Sequence, residues 1–325
     1  MIYVQDKRLP LSGGRSLAYA DNGNTSSSTL ILFLHGAFSV GDASRLSPIL
    51  VGKNIHFIAP SLPGWGKSSP VSDPSNYSTT LASDMSTLLA HLRTDALHLK
   101  IIICGYSFGT VAAQMLYGAP ASVFPFRSQI SSLVLLAPHT PPHCHMDYAK
   151  DMSWQSYFLT GPPCRYIPFN IPARLSRYAL VAKLKSVSAA EIFIRRSLFD
   201  RMTDRERESY LHWKEDHGLG EGQFEREMAA NMLRSVGQTW EGFLQIPTIY
   251  HSGWGGLSPS TLVKGRKDGF SPPVYIVAAK RDHTVSLNAA RWLAGQYPNA
   301  SLKVVDGSHI SLLLHLDDIW KEILD

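Results

Sequence analysis

The pentapeptide Gly105-Tyr106-Ser107-Phe108-Gly109 has the pattern G-x-S-x-G. A serine on a sharp strand-to-helix turn needs neighbours without Cβ atoms. Such a turn lifts the hydroxyl above a sheet and aims the next backbone N–H at the same point. The flanks agree: Ile101-Ile102-Ile103-Cys104 reads as a strand, and Val111, Ala112, Met115 and Leu116 recur at helical spacing within Thr110–Tyr117. The competing interpretation is a tightly packed glycine turn with a bystander serine.

A serine hydroxyl attacks poorly unless a base takes its proton, and the base needs an acid to orient it. The run Val274–Ala279 is followed by Lys280-Arg281-Asp282, and Leu302–Val305 by Asp306-Gly307-Ser308-His309. The chain order Ser107, Asp282, His309 suits a nucleophile of this kind, and strand C-termini are where open α/β sheets place their sites. Among 13 histidines, His309 is the expected base. His35 precedes a glycine in a loop with another role, His283 is expected to point away, and His315 falls inside the last helix. Asp306 and Asp268 are the alternatives to Asp282 as the acid.

These residues need a sheet to hold them. Leu30–Leu34, Ile101–Cys104, Leu133–Ala137, Val274–Ala279 and Leu302–Val305 are short apolar runs without alternation, with Ile55–Ala59 a sixth candidate. Parallel strands covered on both faces read this way. Between them, Tyr77–Leu92 carries Leu81, Met85, Leu88, Leu89 and Leu92 on one stripe, its start predicted at Ser78 or Thr79. Ser286–Tyr297, stopped by Pro298, and Ile310–Leu324 repeat the pattern. Strand–helix alternation predicts an α/β fold with a mostly parallel central sheet flanked by helices. The alternation breaks near Pro138, where seven of the 20 prolines fall between Pro138 and Pro172. Capping boxes are then predicted at Ser188-x-x-Glu191 and Thr203-x-x-Glu206. The expected organisation is a core of residues 1–138 and 273–325 with a helical cap inserted at 139–272.

Composition narrows the function classes. The chain has 325 residues, 44% hydrophobic and 18% charged, enough for a sizeable core and unlike a disordered chain. Three scattered cysteines do not make a disulfide scaffold, and residues 1–24 show no apolar leader, so a cytoplasmic location is expected. Ile101–Phe126 is uncharged, but its Gly, Ser and Pro breaks argue against a membrane span. The net charge of +5 is dispersed and no nucleic-acid module accompanies it.

With these residues in place, the chain resembles the α/β-hydrolase family over essentially its whole length. The marks are His35-Gly36 after the strand Leu30–Leu34, Pro63-Gly64-Trp65-Gly66-Lys67-Ser68 after the next strand, the serine turn, Asp282 and His309. Tyr250-His251-Ser252-Gly253-Trp254-Gly255-Gly256 is similar, more weakly, to a segment between cap and core in fungal-type members. The resemblance implies that the backbone N–H groups of Ala37 and Phe108 form an oxyanion hole. Ser61-Leu62 stands where many members carry an acidic residue before the P-G-x-G-x-S loop. Epoxide hydrolases and haloalkane dehalogenases of the family use an aspartate nucleophile, so Ser107 argues against both reactions.

Other motifs carry less. Gly66-Lys67-Ser68 lacks the glycine that a phosphate-binding loop needs at Ser61. His139, His143, Cys144 and His145 lack a second ligand pair elsewhere, so no metal and no cofactor is expected. Phe38, Trp65, Tyr106 and Trp154 are candidate substrate contacts; Trp154, Tyr157, Phe158, Tyr166 and Phe169 either line an acyl pocket or pack between cap and core. The expectation is a serine hydrolase cleaving a small to medium ester or related apolar acyl compound through an acyl-enzyme. C–C, lactone or thioester hydrolysis, acyl transfer and lyase chemistry remain open on the same site, as does a non-catalytic ligand-binding receptor.

Overall fold

The computed structural model describes residues 6–93, 99–264 and 270–325. Eight strands form one sheet: β1 (Lys7–Pro10), β2 (Ser16–Asp21), β3 (Thr29–Leu34), β4 (His56–Pro60), β5 (Lys100–Tyr106), β6 (Ile130–Leu136), β7 (Val274–Ala279) and β8 (Ala300–Val305). Their order is β1-β2-β4-β3-β5-β6-β7-β8. β1 pairs antiparallel with β2, and β2 antiparallel with β4; every later pairing is parallel. The expected α/β architecture is therefore present, with an antiparallel hairpin at one edge that the apolar runs did not announce.

Side chains alternate across this sheet with the period of two that pleating imposes. Leu30, Leu32, Ile101, Ile103, Leu133 and Leu135 belong to one buried cluster, while Ile31, Ile102, Cys104 and Val134 belong to the other. The first face packs on α1 (Tyr77–Leu92) and α2 (Gly109–Gly118), whose Leu81, Met85, Val111 and Met115 share its cluster. Between β6 and β7 the described residues make only helices and loops, including α3 (Val187–Ile194), α4 (Asp204–Asp216) and α5 (Gln223–Val236). Leu287–Gln296 forms α6, and Leu316–Leu324 forms α7 on the second face.

Several local expectations change. α1 is preceded by Asn76 rather than capped by Ser78 or Thr79, because Asp73 and Pro74 first make a 3₁₀ turn there. The cap of α3 is Ser186, which accepts from the Ala189 N–H, so Ser188 lies inside the helix. The box at Thr203 and Glu206 is present with both reciprocal bonds. His315 stands at the break between Ser311–Leu314 and α7, not within a helix. Asp268 lies outside the described residues.

Candidate active site

Ser107 follows the C-terminal end of β5 and leads into α2, with φ at 53°, a left-handed conformation costly for a residue with a Cβ. Two glycines make the turn feasible. A Cβ on Gly105 would come within 2.6 Å of the Gly109 carbonyl oxygen, and one on Gly109 within 2.0 Å of the Leu34 carbonyl oxygen. Gly36 is the third close approach, where an added Cβ would sit 3.1 Å from the Ser107 Cβ. The loop after β3 thus lies directly against the serine.

Asp282 and His309 meet. The His309 Nδ1 lies 2.7 Å from an Asp282 carboxylate oxygen, whose other oxygen accepts from the N–H groups of Thr284 and Val285 at 2.7 and 2.9 Å. The Asp282 side chain is almost fully buried. Burial pushes its carboxyl up, but the His309 charge and hydrogen bond, with the two amides, outweigh that and leave it below the ordinary carboxylate value. With Nδ1 committed to Asp282, Nε2 is the His309 nitrogen left to face a partner. The ring leans on Tyr106 at 5.1 Å between centroids, and the Tyr106 hydroxyl donates to the His309 carbonyl at 3.1 Å. The rival acid Asp306 is instead paired with Arg281 and Arg205.

Ser107 and His309 line the same cavity of about 370 Å³. Among the described residues, the Ser107 hydroxyl makes no hydrogen bond, to His309 Nε2 or to any other group. Such contacts are often long before a substrate closes the site. The amides of Ala37 and Phe108 are also unengaged by acceptors among the described residues. His35 has the separate role expected of it. Its Nδ1 donates to the Gly36 carbonyl and its Nε2 accepts from the Leu62 N–H, while burial lowers its pKa to about 4 and keeps the ring neutral. Ser61, part of the departure from the family pattern, accepts from the Gly41 N–H through its hydroxyl, and its carbonyl accepts from the Ser68 hydroxyl.

The aromatic expectations divide. Phe38 and Tyr106 line the cavity. Trp65 is 1% exposed and packs edge-on behind Phe38 and His35 without reaching it. Trp154 is 84% exposed, and Tyr166 and Phe169 are also exposed, so these three neither line the cavity nor pack between layers. Tyr157 and Phe158 are outside the cavity lining too. The walls come instead from Leu50, Phe57 and Trp320 on the sheet side and from Leu198, Phe224 and Met228 of the helical segment. No group of three potential metal ligands occurs among the described residues.

Three polar residues near the site were not expected there. Glu206, on α4, accepts from the Ser308 N–H at 2.6 Å and from the Ser311 hydroxyl at 2.9 Å. Asn231, on α5, accepts from the Ser39 hydroxyl and the Val40 N–H at 2.8 and 3.0 Å. The helical segment therefore grips both the loop carrying His309 and the loop after β3. His139 is buried, and its pKa is lowered to about 4 by that burial, with the His309 charge adding to the effect and Asp282 opposing it. The capping-box spacing pointed to Glu206 and the His139–His145 cluster to His139, in neither case for this place in the structure; nothing in the sequence pointed to Asn231.

A model of the alpha/beta hydrolase family matches residues 31–322, and the chain belongs to that family. Solved structures with the same fold include a serine hydrolase from the polyaromatic-hydrocarbon-degrading bacterium Cycloclasticus zankles, at 20% identity and TM-score 0.61, covering 99% of this chain and 96% of that one. A 2-hydroxy-6-oxo-6-phenylhexa-2,4-dienoate hydrolase from Rhodococcus is 17% identical with TM-score 0.60, covering 100% and 98%. A thioesterase domain from the curacin biosynthetic pathway is 14% identical with TM-score 0.59, covering 99% and 100%. No curated protein matches the sequence. No helix among the described residues is long and apolar enough to cross a membrane.

Proposed function

We propose that the chain is a serine hydrolase that cleaves a small to medium carboxylic ester or related acyl compound. The observation that carries this reading is the Asp282–His309 hydrogen bond beside a strained serine on the same cavity. His309 Nε2 takes the Ser107 proton as the oxygen attacks the carbonyl carbon. Asp282 holds the ring in the tautomer that leaves Nε2 able to accept. The developing oxyanion is held by the Ala37 and Phe108 amides, donors of a kind typically worth ~10²–10³ in rate each. His309 then gives the proton to the leaving alkoxide, and a water deprotonated by the same nitrogen cleaves the acyl-enzyme.

Residues 139–272 act as the cap over a core of 1–138 and 273–325, with Phe38 and Tyr106 beside the reacting group. The test is labelling by a fluorophosphonate probe together with hydrolysis of p-nitrophenyl esters. Wild type should label and turn over, and Ser107→Ala should do neither. Unchanged hydrolysis by Ser107→Ala refutes the mechanism.

A further inference from the structure

The cavity wall says more about the substrate than its reacting group does. Away from Ser107 and His309 the surface is largely hydrocarbon, with Leu50, Phe57 and Trp320 facing Leu198, Phe224 and Met228. Among the described residues, the charged groups on that wall are Asp42, Glu227 and Asp317 against a single guanidinium, Arg45, and no lysine lines it. Arg45 is already paired with Glu227 across the opening, so its charge is spent within the protein.

Asn231 and His217 are similarly engaged. Asn231 presents its oxygen to Ser39 and Val40 and its amide nitrogen to Asp42 at 3.3 Å. The His217 Nδ1 meets the Trp213 carbonyl at 2.8 Å, and its Nε2 meets Asp317 at 3.2 Å. A carboxylate on the distal part of a substrate would enter a wall with a net excess of acids and no uncommitted cation. Burying such a charge without a partner is strongly unfavourable.

From this we infer that the site takes acyl compounds whose non-reacting portion is uncharged and apolar, and that it rejects substrates carrying an anion there. A dienoate or a half-ester of a dicarboxylic acid falls in the rejected class. The inference rests on the hydrolase reading for its catalytic arm and on the cavity alone for its binding arm. Recognition then consists of the scissile carbonyl, held at the reaction centre, and a hydrocarbon portion sorted by shape.

The catalytic arm compares p-nitrophenyl octanoate with the p-nitrophenyl monoester of octanedioic acid, equal in chain length and different in one charge. The neutral ester is expected to have the higher kcat/KM by on the order of tenfold or more. Glu227→Gln, a half-exposed position outside the reaction centre, frees Arg45. It should raise kcat/KM for the anionic monoester roughly tenfold, a typical return for a new hydrogen bond to a charged group, and the gain should shrink with added salt. The neutral ester, which meets the same altered wall, should show no comparable gain, so the ratio of the two esters is the readout.

The binding arm uses Ser107→Ala with methyl octanoate and monomethyl octanedioate, read by the fluorescence of Trp213 and Trp320 in the cavity wall. Tighter binding of the neutral ligand supports the inference. Equal turnover of the two p-nitrophenyl esters by wild type, or equal binding of the two methyl esters, overturns it. Absence of any turnover together with selective binding of the neutral ligand counts against the esterase reading and supports the charge preference.

Discussion

Replacing Glu206 by glutamine tests whether the helical segment holds the reaction centre in register. The side chain is 5% exposed and uses both oxygens. One accepts from Ser308 and Ser311; the other accepts from the Thr203 N–H and hydroxyl, each at 3.0 Å, with Arg281 at 3.4 Å. Ser308 precedes His309 and Arg281 precedes Asp282, so one carboxylate braces both. Burial raises its pKa, yet the hydrogen bonds from Thr203, Ser311 and Ser308 win and hold it at about 2 against an ordinary 4.5. That depression corresponds to ~3 kcal/mol of folded-state preference for the ionised form. Because the folded value is the lower one, this stability is fully present above about pH 5 and drains away as pH falls towards 2.

Glutamine keeps one acceptor for Ser308 and Ser311 but turns an NH₂ towards the Thr203 N–H and the Arg281 guanidinium, donor against donor. The expected loss is ~2 kcal/mol at pH 7, measured by urea unfolding, with a flatter decline in acid. Activity should change separately. Glu206 is not on the cavity wall, so KM should stay within about twofold, while kcat on p-nitrophenyl octanoate falls on the order of tenfold as His309 loses its alignment. A variant that loses stability but keeps wild-type kcat, assayed where it is fully folded, refutes the positioning role. Wild-type stability at pH 7 refutes the energetic argument as well.

Asp282→Asn should leave the fold intact by circular dichroism and lower kcat by ~10⁴, because the amide can hold His309 in the wrong tautomer; activity within tenfold of wild type would remove Asp282 from the mechanism. His35 and His139 both have pKa values lowered to about 4 by burial. The unfolded chain therefore binds more protons than the folded one between about pH 6.5 and 4, and stability should fall by several kcal/mol as pH drops through that window. His139→Phe should flatten part of this slope in urea titrations at pH 7, 5.5 and 4, and an unaltered slope contradicts the assignment. Trp154→Ala should leave KM for p-nitrophenyl octanoate within about twofold of wild type, since the indole points to solvent; a large rise in KM would return it to the substrate path.

The residues proposed to do chemistry were readable because local geometry constrains them. A strained serine needs glycines at neighbouring positions, and Asp282 sits just beyond β7, a mostly buried strand rich in Val, Ile and Ala, whereas β8 before His309 buries only Val305. Val274–Ala279 emerges with the boundaries expected of it, and α1 ends at Leu92 as expected but starts at Tyr77, ahead of the predicted Ser78 or Thr79. The hairpin was not readable for the opposite reason. Lys7–Pro10 is a four-residue edge strand with only Leu9 buried, the short charged form that edge strands take to discourage further pairing. Trp154 misled because a large aromatic side chain carries no local sign of which way it faces.

Glu206 and Asn231 show the remaining limit. Their backbone positions on α4 and α5 are ordinary, and their meaning lies in Ser308, 102 residues away, and Ser39, 192 residues away. The Thr203 capping box revealed one oxygen of Glu206 and hid the other, which reaches the His309 loop. A spacing rule sees only the partner within its own turn of helix. Groups that orient a site from an inserted segment are fixed by packing between parts of the chain that no local rule connects.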